Sequence, residues 1–225
     1  MGVTAPEQVN TVHWTRFPAS ALDDVDWADH HQAHRAVMRL FPRVLAGKQD
    51  ERRAISLILH RIDVLAGEAI VLVQSAIAPQ MLPVDARHIA VPEAAWSFKP
   101  GARIAFRVAV NPVRRRTVRP EGAAPAVNGQ KRDRTGQRER VVGTVPVDDM
   151  PSWLVTKLAD AVTDLEFVNH FRDQTGHGRH IVVVDTFDCI ATVDNPETFN
   201  RLRRDGIGRA KAYGCGLLTA QPALD

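Results

Sequence analysis

Three histidines lie within five residues of the sequence, at positions 30, 31 and 34. A helix would project all three from adjoining faces, because His34 follows the other two by four and three residues. Such a group could bind zinc, could only flank an apolar face, or could transfer protons, since an imidazole with a pKa of about 6.5 suits acid–base chemistry. The zinc-protease pattern needs Glu directly after the first histidine, where this chain has His31. This departure disfavours zinc and leaves the other two interpretations open.

A second segment that could bind a ligand is the glycine loop, residues 206–216. It carries four glycines together with Arg209, Lys211 and Tyr213. Glycines let a backbone approach a ligand closely, and the two cations favour a phosphate. The spacing matches neither a P-loop nor a dinucleotide fingerprint, whose third glycine is replaced by Lys211. A strand-like run follows the loop, so a polymeric phosphate such as RNA is favoured. A helix end without a ligand is the alternative.

Positive charge is concentrated in one part of the chain. The formal net charge is +3, but residues 103–140 hold eleven Lys or Arg against three acidic residues, which makes this segment +8 and the remainder −5. A localised basic segment indicates a polyanion site. A solvated loop without a partner is the alternative. The densest part of the segment comprises Arg114, Arg115, Arg116, Lys131, Arg132 and Arg134.

The N-terminal half must position the histidines, and its periodicity predicts how. Residues 9–17 are strand-like, and a helix capped by Asp26 or Asp29 should then run to Pro42. Two further strands, 53–63 and 69–75, should form a hairpin around Gly67. Prolines and a glycine in residues 90–101 mark a candidate domain boundary.

The C-terminal half repeats a similar series. The predicted elements are a strand at 103–110, a basic excursion at 113–138, a strand at 141–147, a helix from Pro151 to about Val162 capped by Asp148 or Asp149, strands or a hairpin at 180–193, a helix from Pro196 to Arg204, and a last strand after the glycine loop. Each half can be read as strand, helix, two strands, helix and strand. The predicted fold is therefore α+β, with two tandem ferredoxin-like domains at residues 8–92 and 100–222.

Composition limits the cellular setting and the mode of recognition. The sequence has no basic-then-apolar leader and no apolar run long enough to span a bilayer, so we expect a cytoplasmic protein that does not contact membranes. Cys189 and Cys215 are expected to be reduced structural thiols. With a single tyrosine and isolated phenylalanines in its strands, the chain should recognise RNA through arginine more than through base stacking.

Four segments together resemble the CasE family of repeat-RNA endoribonucleases from type I-E CRISPR systems. They are residues 32–42 (QAHRAVMRLFP), 72–76 (LVQSA), 110–112 (VNP) and the glycine loop continuing into Leu217 and Leu218. The resemblance implies tandem ferredoxin-like domains that bind a precursor CRISPR RNA and cut at the base of its repeat hairpin without metal or cofactor. It also implies a 2′,3′-cyclic phosphate product, retention of that product, and membership of the Cascade complex with its other subunits.

The resemblance also suggests roles for individual residues. The family's helix histidine matches His34, which takes the central acid–base role. The family often has a tyrosine three residues earlier, where this chain has His31, so His31 either replaces that group or only positions the phosphate. Arg39 is a candidate for charge stabilisation. The implied RNA-binding residues are Arg35, the arginines and lysine of the basic segment named above, Gly208, Arg209 and Lys211. A non-catalytic scaffold that binds an RNA hairpin is the alternative function, and a metallohydrolase using His30 and His34 is a third.

Overall fold

The structure is a computed structural model that describes residues 11–42, 57–118, 139–175 and 181–224. Within these ranges the strands are β1 Thr11–Pro18, β2 Leu59–Leu65, β3 Glu68–Ser75, β4 Arg87–Pro92, β5 Arg103–Val110, β6 Val113–Val118, β7 Glu139–Thr144, β8 Val162–Thr175, β9 Val182–Val193 and β10 Leu218–Pro222. The helices are α1 His30–Arg39, α2 Glu93–Trp96, α3 Met150–Leu158 and α4 Pro196–Asp205.

The first sheet has the strand order β2-β3-β1-β4, with antiparallel pairing throughout. Alternate residues of its strands point toward α1, as the two-residue period of a strand requires. Phe17 and Val71 from the sheet pack with Val37 and Phe41 from the helix region, and all four side chains are fully buried. The apolar face of α1 therefore fixes which way its remaining residues point.

The second sheet has the order β10-β5-β9-β8 and is also antiparallel. When the four strands of each sheet are counted in chain order, the first and third lie at the centre and the second and fourth at the edges. This is the ferredoxin-like arrangement. The larger core lies beneath this second sheet and includes Phe106, Val108, Phe187 and Leu154. The predicted α+β fold with two tandem ferredoxin-like sheets is confirmed.

Local signals located several elements correctly. Asp29 caps α1, Gly67 lies in the turn of the β2–β3 hairpin, and Asn195 caps α4 through its side chain, which accepts a hydrogen bond from the Thr198 amide at 3.0 Å. Strand β4 ends at Pro92 and β5 begins at Arg103. The division into domains 8–92 and 100–222 stays a prediction.

The prediction for residues 159–175 was wrong, whereas the strand structure predicted within 180–193 is confirmed by β9. The third helix ends at Leu158 instead of about Val162, and Val162 begins the 14-residue strand β8, which the sequence did not predict. The hairpin considered for 180–193 is a single strand, β9, and β8 is its partner. Two register shifts, at Thr163–Glu166 and Phe167–Asn169, interrupt the alternation of apolar and polar residues in β8. A bulge removes the two-residue period by which a strand is recognised.

Two other elements differ from prediction. The basic excursion does not begin as a loop at residue 113, because β6 pairs with β7 in a two-stranded ribbon and places the arginine triplet on a strand. Residues 119–138 lie outside the described part of the chain. In the N-terminal half the described residues 76–86, between β3 and β4, form no helix, so the predicted series of strand, helix, two strands, helix and strand is incomplete there. Pro79 and Pro83 lie in that connection, and proline opposes a helix interior.

A buried arginine joins the two sheets. Arg61 of β2 is 4% exposed and donates to the backbone oxygens of Arg107 and Leu217, at 3.1 and 3.0 Å, and to the Thr219 hydroxyl at 2.9 Å. Its Nε and Nη2 atoms also pair with Asp63, both at 2.8 Å. Since β2 belongs to the first sheet, whereas Arg107 and Thr219 lie on strands of the second and Leu217 directly precedes β10, this side chain links the two halves.

Both cysteines are free and buried, as expected for structural thiols, and burial raises each thiol pKa to about 12. In the described ranges, every helix is too short or too polar to traverse a bilayer.

Candidate active site

Helix α1 holds the histidines in a defined direction. It begins after Asp29, whose Oδ1 accepts the amide hydrogens of His31 at 2.8 Å and Gln32 at 3.3 Å. Ala33, Ala36 and Val37 form its buried face. His30 and His34 flank that face and are partly buried, whereas His31 is exposed.

The glycine loop is folded back on itself at a narrow neck. The Ile207 amide donates to the Gly216 carbonyl at 2.9 Å, and the Gly216 amide donates to the carbonyl of Ala109 in β5 at 2.6 Å. Gly216 has φ +93°, and a Cβ there would lie 3.0 Å from the Ile207 carbonyl oxygen. A larger residue would be strained in this conformation. The neck therefore anchors the loop to the second sheet and lets its tip project toward α1.

The tip of the glycine loop and α1 face each other across a cleft of about 640 Å³. His34 and Met38 line it from α1, and Leu59 and His60 line it from the β2 side. Residues 208–213 form the opposite wall. The structure thus brings together predicted residues that are far apart in sequence, namely His34, Gly208, Arg209 and Lys211.

The two loop cations differ in environment. Arg209 is exposed, and its backbone forms an antiparallel bridge with Asn111. Lys211 is half-buried, and its Nζ donates to the backbone oxygen of Asp205 at the end of α4. Burial lowers the pKa of Lys211, while the charge of Asp205 raises it in part. Arg209 is therefore free to extend into solvent, whereas Lys211 also holds the loop against the helix.

His60 is a site residue that the sequence did not predict. It lies opposite Val73 on the face of β2 that points toward α1, and it is 2% exposed. Its Nε2 has no hydrogen-bond partner among the described residues and faces Gly214, where a Cβ would lie 3.6 Å away. Burial, with smaller contributions from His34 and His30, lowers its pKa to about 3. His60 is therefore neutral at physiological pH. A histidine at a core-facing strand position was the only available signal.

Tyr213 connects the histidine helix with the glycine loop. Its ring contacts His31 edge-on at a centroid distance of 5.1 Å and lies 6.1 Å from the His30 ring. Burial lowers the pKa of His30, and the carboxylates of Asp29 and Asp173 oppose that shift. His31 therefore packs against Tyr213, which lines the cleft.

A second cavity, of about 560 Å³, lies on the other side of His34. Arg35 and Arg39 line it together with His34, and both arginines are exposed. The Arg39 guanidinium is paired with both carboxylate oxygens of Asp24, at 2.8 and 3.3 Å. This exposed pair orients Arg39 but contributes little to stability.

Among the described residues of the basic segment, none belongs to the cleft lining. Arg114 lies on β6, with its guanidinium 3.6 Å from the Asp149 carboxylate. Arg115 and Arg116 follow on the same strand, whereas Lys131, Arg132 and Arg134 lie outside the described residues. Over the described ranges no group of three or more His, Cys, Asp or Glu could hold a metal ion.

The fold and the cleft define a class of protein with two ferredoxin-like sheets and a site of histidines and cations shared between the halves. A family model described as CRISPR associated protein matches residues 14–222. The chain belongs to that family.

Individual relatives agree with this assignment. The chain is 27% identical to the CRISPR system Cascade subunit CasE of Escherichia coli K12 over 201 residues, covering 86% of this chain and 92% of that protein. Its fold is similar to Cas6e from the same organism, with a TM-score of 0.63, 21% identity, and coverage of 94% of this chain and 100% of that one. It is also similar to Thermus thermophilus Cse3 bound to an RNA representing a pre-cleavage complex, with a TM-score of 0.64, 21% identity, and coverage of 95% and 100%. The resemblance to CasE inferred from the sequence is confirmed.

Proposed function

We propose that the protein is a metal-independent endoribonuclease that cuts precursor CRISPR RNA at the base of the repeat hairpin and remains on the product as a Cascade subunit. The observation that carries the proposal is the cleft in which His34 faces Arg209 and Lys211. A proton-transfer group and two cations around one cavity are what the cleavage of a phosphodiester by its neighbouring 2′-OH needs. The relatives named as a Cascade subunit and as Cse3 with bound RNA support the same function.

His34 is the central acid–base group in this mechanism. It takes the proton of the 2′-OH, the 2′ oxygen bonds to phosphorus, and the bond from phosphorus to the 5′ oxygen breaks as that oxygen gains a proton. The products are a 2′,3′-cyclic phosphate and a 5′-OH end. Arg209 and Lys211 hold the phosphate in the cleft, and Arg39 of the neighbouring cavity is the candidate for offsetting the charge that develops on phosphorus. A second group must supply the proton to the 5′ oxygen, and on the sequence alone His31 either fills this role or only positions the phosphate.

RNA binding extends beyond the cleft. Arg35 lines the second cavity, and the β6–β7 ribbon carries the arginine triplet, with Lys131, Arg132 and Arg134 in the segment that joins its strands. The deep, narrow major groove of A-form RNA favours contacts with phosphates and shape over contacts with base edges. Affinity should therefore decrease steeply with salt.

Cleavage of a repeat hairpin is expected to persist in excess EDTA, because the proposed mechanism uses only side chains. In the test, the full-length protein is incubated with labelled hairpin RNA, with and without EDTA, and the chemical groups at the product ends are identified. A 2′,3′-cyclic phosphate and a 5′-OH are the expected ends. Activity that disappears in EDTA and returns with a divalent metal would contradict this mechanism, and binding without cleavage would favour the scaffold function.

Replacing Arg209 or Lys211 by Ala should weaken hairpin binding more than it slows cleavage of saturated RNA. Each cation that contacts a phosphate releases about one counterion, so the slope of log affinity against log salt should become less steep by about one for each variant. Titrations at several salt concentrations measure this slope. The control is Lys99→Ala, which removes an exposed lysine outside the cleft. Unchanged affinity in both loop variants would leave the glycine loop with a structural role alone.

A further inference from the structure

Breaking the bond to the 5′ oxygen requires a proton donor on the leaving-group side of phosphorus, and we infer that Tyr213 is this general acid. The inference rests on the proposed function. The attacking and leaving oxygens of an in-line displacement lie on opposite sides of the phosphorus atom. A base and an acid must therefore face each other across the bound phosphate. In the cleft, His34 belongs to the α1 wall and Tyr213 to the wall formed by the glycine loop.

The other ionisable groups of the cleft are less suitable. His60 is sealed beneath Gly214 and holds no additional proton at neutral pH. The Asp205 side chain is engaged elsewhere, because its Oδ1 accepts a hydrogen bond from the Arg204 guanidinium at 3.3 Å. The Lys211 ammonium is directed at the backbone oxygen of Asp205. That hydrogen bond occupies one of the ammonium donors, so in this mechanism Lys211 acts through its charge on the phosphate.

Tyr213 is held in place by both walls. It ends a 3₁₀ turn, Lys211–Tyr213, between two left-handed residues, Ala210 at φ +56° and Gly214 at φ +80°. Its amide donates to the Ala210 carbonyl at 2.8 Å, and its ring packs edge-on against His31. A tyrosine hydroxyl can donate a proton or accept one. His31 is consequently a positioning residue, because it touches the ring of Tyr213 and does not belong to the cleft lining.

The proton count of the step balances. As the bond from phosphorus to the 5′ oxygen breaks, the electron pair stays on that oxygen and the Tyr213 hydroxyl proton transfers to it. The resulting phenolate is reprotonated through solvent by the proton that His34 took from the 2′-OH. The net change moves one proton from the 2′ oxygen to the 5′ oxygen, with no external oxidant, reductant or metal.

Tyr213→Phe in the full-length protein tests the assignment, because the ring and its packing remain while the proton is lost. At saturating protein, the rate of hairpin cleavage should decrease about 10²-fold, which is within the contribution of a single acid–base group to the rate. Affinity for a hairpin with a 2′-deoxy nucleotide at the scissile position should be unchanged. The decisive substrate replaces the leaving 5′ oxygen by sulfur. Thiolates are much weaker bases than alkoxides and leave without protonation, so this RNA should be cut at the wild-type rate by Tyr213→Phe.

His34→Ala provides the comparison, since loss of the base should slow cleavage of both the oxygen and the sulfur substrate. A Tyr213→Phe variant that cuts the oxygen substrate at the wild-type rate overturns the assignment. A Tyr213→Phe variant that cuts both the oxygen and the sulfur substrate slowly also overturns the assignment, because the tyrosine then acts through structure alone. Wild-type protein that fails to cut either hairpin contradicts the proposed function itself, which is a separate and recognisable result.

Discussion

Replacing His34 by Ala is expected to slow RNA cleavage by about 10²- to 10⁴-fold, the range for removing a general acid–base group. The expectation follows from its position. His34 and Met38 are the residues that line both of the cavities described beside α1, so the His34 imidazole is accessible from either side. Its helix packs through Ala33, Ala36 and Val37. Because His34 lies outside that buried face, the substitution should leave the fold unchanged.

Single-turnover cleavage at saturating protein, combined with binding of a 2′-deoxy hairpin, separates chemistry from affinity. Affinity should stay within a small factor of wild type. A matched control is His88→Ala, which removes a histidine that pairs with His13 on the β1–β4 side of the first sheet and does not line the cleft. This control should retain full activity. An equal loss of affinity and rate in His34→Ala would show that His34 binds RNA and does not transfer protons.

The second large effect is expected at Arg61. Changing it to Met should lower the free energy of unfolding by about 3–5 kcal/mol, the usual cost of removing one partner of a buried ion pair. The variant leaves Asp63 without its closest cation and removes three hydrogen bonds to the second sheet. For a chain of this size the melting temperature should decrease on the order of 10 °C. Calorimetry or denaturant unfolding measures the change.

Two further variants show whether the buried charge causes the loss. Arg16→Met removes an exposed arginine of the same sheet and should change stability by less than about 0.5 kcal/mol. Arg61→Met combined with Asp63→Leu should recover part of the loss, because the unpaired carboxylate is removed as well. A single variant as stable as wild type would mean that solvent or neighbouring groups replace the Arg61 contacts, and that this residue does not hold the sheets together.

The sequence located the parts of the site that depend on local patterns. Asp29 and the apolar residues of α1 are near neighbours, so the helix and the side of it that carries His34 could be predicted. The glycine loop was recognisable because a positive φ and a close backbone approach restrict the residue type. The order of sheet strands came from the repeated series of elements. These features need only a few residues of context.

The remaining features depend on distant contacts. His60 became a site residue because β2 pairs with β3 in a register that turns its ring toward α1, and no local pattern encodes that pairing. Tyr213 was visible in the sequence, but its contact with His31 joins residues 182 positions apart in the chain. Strand β8 was missed because its bulges hide the alternation. In each case the role of the segment depends on a tertiary contact, and such contacts cannot be predicted from spacing in the sequence.

The neck of the glycine loop belongs to the second sheet, through the carbonyl of Ala109, while the opposite wall of the cleft belongs to the first. Neither half contains a complete set of reacting groups. The proposed mechanism therefore requires both halves to be folded and docked, because each half supplies one wall of the cleft.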